Sequence, residues 1–209
     1  MRYILLIILL YSGLFATAQP SKYEMGLSAA VDLFYQMQTK EAHQLAFNKF
    51  EQLSKSYPSE WLPMYYGAII KARMSILNMG NKDAIADEAI QWVAKSKMIQ
   101  VNDEILCAES LANSAKMAIS PMTRWLSYES RIKSPLKLAK KINPNNPRIY
   151  VLEAAIIHRL PGLFGGGCKA ALPIANKAAK LLEEQENNRG NLPRWGMKTI
   201  NEILTNCGK

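Results

Sequence analysis

The chain of 209 residues contains only two histidines, His43 and His158, and three cysteines, Cys107, Cys168 and Cys207. It has no GxSxG elbow, no HExxH pair and no phosphate-cradling GxxxxGK[ST] loop, and neither histidine has an acid or nucleophile at a recognised spacing. These gaps exclude the commonest hydrolase and nucleotide sites, so a protein that binds rather than catalyses is expected. No two cysteines form a CxxC, and two histidines give little to add to them, so neither a zinc constellation nor a cofactor is expected. No apolar run reaches 18 residues, which argues against a multi-span membrane protein. Alternating runs closed by Asn-Gly or Asp-Gly turns are also missing, which removes hairpin-built folds.

What is present is an ordinary globular balance, 49% apolar and 21% charged. Residues 1–18 read as an export signal. Arg2 supplies the positive charge, Ile4 to Leu10 the aliphatic stretch, and Ala16-Thr17-Ala18 the small residues before cleavage at Gln19. No cysteine lies near that point, so a free periplasmic or secreted product is expected, without stable membrane insertion after cleavage. Export permits disulfides, and three cysteines leave one over.

Apolar residues recur at spacings of three and four almost throughout, which gives an all-α chain. Helices are expected over 23–38, 40–56, 60–79, 83–99, 103–118, 121–142, 147–160, 168–186 and 194–206, the last one capping a single domain spanning 19–209. Ser120-Pro121 and Asn146-Pro147 read as starts, Gly80-Asn81 and Asn187-Asn188 as stops. Cys168 opens one predicted helix and Cys207 follows another. Antiparallel packing of the two predicts a Cys168–Cys207 disulfide, with Cys107 a buried free thiol. The methionines Met25, Met37, Met64, Met74 and Met98 are expected mostly in the core.

Self-similarity adds an architecture. Ala46-x3-Phe50-x2-Leu53-x4-Pro58 is complete, Ala139 lies five residues before Pro144, and Ala68 and Ala154 lie ten after the two prolines. Ala89-x3-Val93-x2-Ser96 and Ala171-x3-Ala175-x2-Ala178 repeat the first part. On these residues the chain resembles the tetratricopeptide repeat family, although Pro58 and Pro144 stand 86 residues apart, two units of 43 against about 34 in the family. The 161–167 turn, PGLFGGG, is also longer than the family's tight turn. Within that resemblance it looks like a group of exported bacterial repeat proteins with an FGGGC turn. The resemblance implies a right-handed solenoid of about four degenerate helix pairs.

Charge is uneven. Residues 19–105 carry 9 Lys and Arg against 10 Asp and Glu, while residues 106–209 carry 16 against 7. Lys133, Lys137, Lys140 and Lys141 share one helical face. Export removes nucleic acid as a partner and leaves acidic protein, glycan or lipid surface. The leading expectation is therefore a scaffold that binds a protein or peptide through its concave face. The alternative is a small-ligand or anion-binding accessory resembling the T-component of tripartite periplasmic transporters. The expected anion site joins Arg124 to His158, Arg159 and the Gly165, Gly166 and Gly167 turn, where backbone N–H groups at a helix start attract negative charge, with Trp125 and Phe164 as apolar walls.

Overall fold

The computed structural model describes residues 21–186 and 190–208. The expected signal and its cleavage point, and the Asn187-Asn188 stop, lie outside the described residues. Nine α-helices account for nearly all of the described chain: α1 Lys22–Gln36, α2 Lys40–Ser56, α3 Trp61–Ile76, α4 Lys82–Ile99, α5 Asp103–Ala118, α6 Pro121–Ile142, α7 Pro147–Arg159, α8 Cys168–Glu186 and α9 Met197–Cys207. A single 3-10 turn, Gly162–Phe164, interrupts the link from α7 to α8.

Local chemistry starts most helices. Ser21 and Glu24 form a reciprocal capping box, and the side chains of Thr39, Asn81, Asn102 and Asn146 each accept a backbone N–H at the start of α2, α4, α5 and α7. Pro121 and Pro147 occupy first-turn positions where no N–H is needed. Two boundaries differ from expectation for backbone reasons. α3 ends at Ile76 because Asn78 turns left-handed at φ +58°, and α9 starts at Met197 because Gly196 sits at φ +128°. α6 runs unbroken through the buried Pro135, although that residue has no N–H for the carbonyl of Arg131.

Short links make consecutive helices antiparallel. α1 packs on α2, α3 on α4, α5 on α6 and α7 on α8; α2 with α3 and α4 with α5 join neighbouring pairs, and α9 closes over α7 and α8. The repeated small residues lie at these crossings. Ala46, Ala89, Ala139, Ala154, Ala171, Ala175 and Ala178 are fully buried, and Phe50 stacks on Tyr66. At the α3–α4 crossing, a Cβ on Gly67 would stand 2.8 Å from the Trp92 ring, so only glycine permits that approach.

Burial corrects the methionine expectation in part. Met37 and Met74 are buried, but Met25 and Met98 face solvent. The α6–α7 contact is the sparse junction, far slighter than that between α5 and α6. α6 has 22 residues and α7 only 13, about 33 Å against 20 Å of helix. Because α7 turns back from the end of α6, the first turns of α6 extend past it.

Candidate functional site

The concave-groove expectation assigned a partner to the first helices of the pairs, α1, α3, α5 and α7. A segment of the chain itself lies against α1 and α3. Residues 190–196, between α8 and α9, make three hydrogen bonds there. The Arg194 backbone N–H donates to the Tyr35 hydroxyl at 2.8 Å, the Tyr66 hydroxyl to the Asn191 carbonyl at 3.0 Å, and the Trp195 indole to the Tyr65 hydroxyl at 2.8 Å. The Arg194 guanidinium stands over the Tyr35 ring, and Gly196 meets Val151 of α7.

Beneath this strap lies a buried polar network. Glu104 of α5 accepts from Arg148 of α7 and from Asn146, which caps α7, through Oε1, and from Tyr65 of α3 through Oε2. Arg148 also donates to Gln185 of α8. Burial is the largest influence on the Glu104 carboxyl and lifts it above its ordinary value, while Arg148 pulls it back. Burial likewise pushes up the hydroxyl of Tyr65 and the free thiol of Cys107. Glu104, Arg148, Asn146 and Tyr65 bond to one another or to neighbouring side chains, so the network positions helices.

The edge where α4, α6 and α8 begin is different. Arg124, in the first turn of α6, makes a two-pronged ion pair with Asp83 at the start of α4, at 2.7 and 3.0 Å, and donates to the Lys116 carbonyl. Lys116 bridges Asp83 and Asp87. Hydrogen bonds from Arg124 first, then Lys116, hold the Asp83 carboxyl well below its ordinary range.

The glycine turn spends its donors internally as well. Gly165 N–H bonds to the Gly162 carbonyl, Gly166 to Pro161 and Gly167 to Ile157. Gly166 is needed for a further reason, since a Cβ there would collide with the Leu160 backbone. Arg124 and the glycine N–H groups of the expected anion site thus each have partners within the fold. Arg124 faces the neighbouring pair's aspartate, and the three glycines make a tight turn rather than a cradle. Arg159 is exposed at the end of α7.

His158 falls in another grouping. Cys168 and Cys207 form a disulfide with Cα atoms 5.1 Å apart, tying the start of α8 to the end of α9. A His158 ring nitrogen and the two sulfurs lie within 4.8 Å of one another.

What the edge does offer is apolar. Met122 and Leu126 of α6 are 97% and 90% exposed, and Leu163 and Phe164 of the turn 91% and 73%. Met122 and Leu126 lie one turn apart on α6, and Leu163 and Phe164 are adjacent in the turn, so each pair is bared locally. Half-buried Trp125 lies beneath Lys133, and Tyr128 beneath Arg131, so the aromatic rings here carry positive charge beside them. Large apolar groups bared together mark a binding surface more often than a solvated face. Sequence reading named Trp125 and Phe164 but missed Met122, Leu126 and Leu163. Two bulky residues inside a glycine-rich turn were the available signal for Leu163, since such a turn cannot bury them.

No family model matches the chain, and no curated protein is significantly similar to it. Among solved structures, the HusA haemophore from Porphyromonas gingivalis aligns with a TM-score of 0.80 and 27% sequence identity, over 90% of this chain and 94% of the haemophore.

Proposed function

We propose that this protein is an exported haem-binding carrier without a catalytic step, periplasmic or secreted. The likeness to the haemophore along nearly the full length of both chains carries this reading. It favours the small-ligand accessory over the protein scaffold, as does the strap against α1 and α3, part of the face a partner peptide was expected to use. The helix pairs are read as degenerate tetratricopeptide-like units of a right-handed solenoid, with residues 19–209 as one domain.

The α6–α7 edge fits the cargo chemically. A tetrapyrrole presents a broad apolar plane and two carboxylates. Met122, Trp125, Leu126, Leu163 and Phe164 supply apolar surface, and Arg131, Lys133 and Arg159 supply cations. Met122, Tyr128 and His158 carry the atom types that ligate haem iron. The mature chain, titrated with haemin, should shift and sharpen its Soret band with saturation at one equivalent. Replacing Leu163 and Phe164 together by Ser should weaken binding by at least about tenfold, the loss of two buried apolar side chains. An unchanged haemin spectrum in the presence of excess protein overturns the function. Undiminished binding by the double variant moves the site elsewhere.

A further inference from the structure

We infer that His158, Cys168 and Cys207 form a soft-metal site that opens when their disulfide is reduced, taking zinc(II) or copper(I). Three different helices deliver the donors: His158 in the last turn of α7, Cys168 as the first residue of α8 and Cys207 as the last of α9. Their ligating atoms already lie within 4.8 Å of one another. A tetrahedral zinc with Zn–S of about 2.3 Å and Zn–N of about 2.0 Å needs donors roughly 3.5 to 3.8 Å apart. Cleaving the S–S bond and relaxing each donor by about an ångström reaches that geometry. Two thiolates and one imidazole select zinc(II) or copper(I) over hard cations, and a water completes the fourth position.

All three residues are partly exposed, so a reductant and an ion can both reach them. Cys168 sits at a helix start, where backbone N–H groups favour a thiolate. A dithiol is one reductant that balances the step. One of its thiolates attacks a protein sulfur to give a mixed disulfide, and its second thiol resolves that bond. Two electrons and two protons pass to Cys168 and Cys207, and the reductant leaves as its own disulfide. Binding of a divalent cation then releases those two protons. The ion replaces the lost covalent link and adds α7 to it, so α9 stays fastened in either redox state. This inference rests on side-chain geometry alone and is independent of the haem reading.

Cobalt(II) tests it as an optical probe of zinc sites. The mature chain, reduced with a phosphine, should bind one cobalt(II) with thiolate charge-transfer bands and the ligand-field bands of a tetrahedral ion, and zinc(II) should displace it. Zinc(II) should also protect two of the three thiols, Cys168 and Cys207, from alkylation as read by peptide mass. The unreduced protein should show neither effect. His158→Asn, its fold checked by circular dichroism, should weaken cobalt binding by at least about tenfold, the loss that outer-shell partners alone can cause. Cys107→Ala should keep the full spectrum. Absence of the bands in the reduced protein overturns the inference, as does undiminished affinity in His158→Asn or a requirement for Cys107.

Discussion

The Arg148 guanidinium meets the Glu104 carboxylate at 2.6 Å with both side chains almost wholly withdrawn from solvent, fixing α7 against α5. The pair lies beside the core that Leu106 and Cys107 of α5 share with α7. Removing one partner leaves a buried charge unanswered. Arg148→Met alone should therefore cost about 3 to 5 kcal/mol in urea denaturation. Arg148→Met combined with Glu104→Leu should recover much of that loss, because replacing a buried pair by apolar groups is often neutral. A double variant no better than the single one would show that Asn146 and Tyr65, left without Glu104, matter more than the charge.

Trp195 anchors the strap by bonding to Tyr65 and packing against two buried cores, one built by α1–α5 and one by α5–α9. Trp195→Phe should cost about 1 kcal/mol for the lost hydrogen bond and Trp195→Ala about 3 to 5 kcal/mol. Deleting residues 192–209 should give insoluble or molten material, measured by near-ultraviolet circular dichroism. A truncation that melts cooperatively would contradict this.

Reduction should weaken the fold even where it creates a metal site. The disulfide closes a loop across 39 positions, and the loop-entropy model gives about 4 kcal/mol for a ring of that size. The melting temperature in phosphine without metal should fall, and Cys168→Ala with Cys207→Ala should fall by a similar amount. If reduction leaves melting unchanged, the strap and α9 hold without their staple.

His43 is almost fully buried in α2, its Nδ1 donating to the Thr39 carbonyl while Nε2 has no partner. Burial first, and the positive charge of Arg73 second, lower its pKa below the ordinary histidine value. Between the folded and unfolded pKa values the unfolded chain carries the proton and the folded chain does not. Stability contributed by the neutral ring is thus present above about pH 6.5 and lost as pH falls toward the folded value. His43→Asn, which retains an N–H near Nδ1, should flatten the fall in stability between neutral and mildly acidic pH. A variant with the same slope would place that dependence on other groups.

Helix positions were largely readable because their signals are local. Capping asparagines, first-turn prolines and buried alanines act within a few residues or recur at fixed spacing. The Cys168–Cys207 pairing was readable for a related reason, since two consecutive antiparallel helices bring their far ends together. Arg124 was not readable in the same way. Its partner Asp83 lies 41 positions earlier, and nothing near Arg124 distinguishes an arginine held by a neighbouring helix from one free to bind an anion. Trp195 reads as an anchor from the sequence, but the path of Asn191 to Gly196 does not, because its partners Tyr35, Tyr65 and Tyr66 lie more than a hundred positions earlier. Met98 has apolar neighbours in sequence, yet its own side chain is left exposed in the last turn of α4, while Ser96 and Lys97 beside it bond to α3 and α5.

The hydrogen bond from Arg194 to Tyr35 spans 159 positions, and that from Tyr66 to Asn191 spans 125. An array of helix pairs touching only their neighbours can nucleate anywhere and lose an end pair at little cost to the rest. Here residues 190–196 complete the surroundings of α1 and α3. These helices can form early, but Tyr35, Tyr65 and Tyr66 lack those partners until residues 190–196 pack. Folding should therefore finish only once that segment is in place, and unfolding should proceed as one cooperative event.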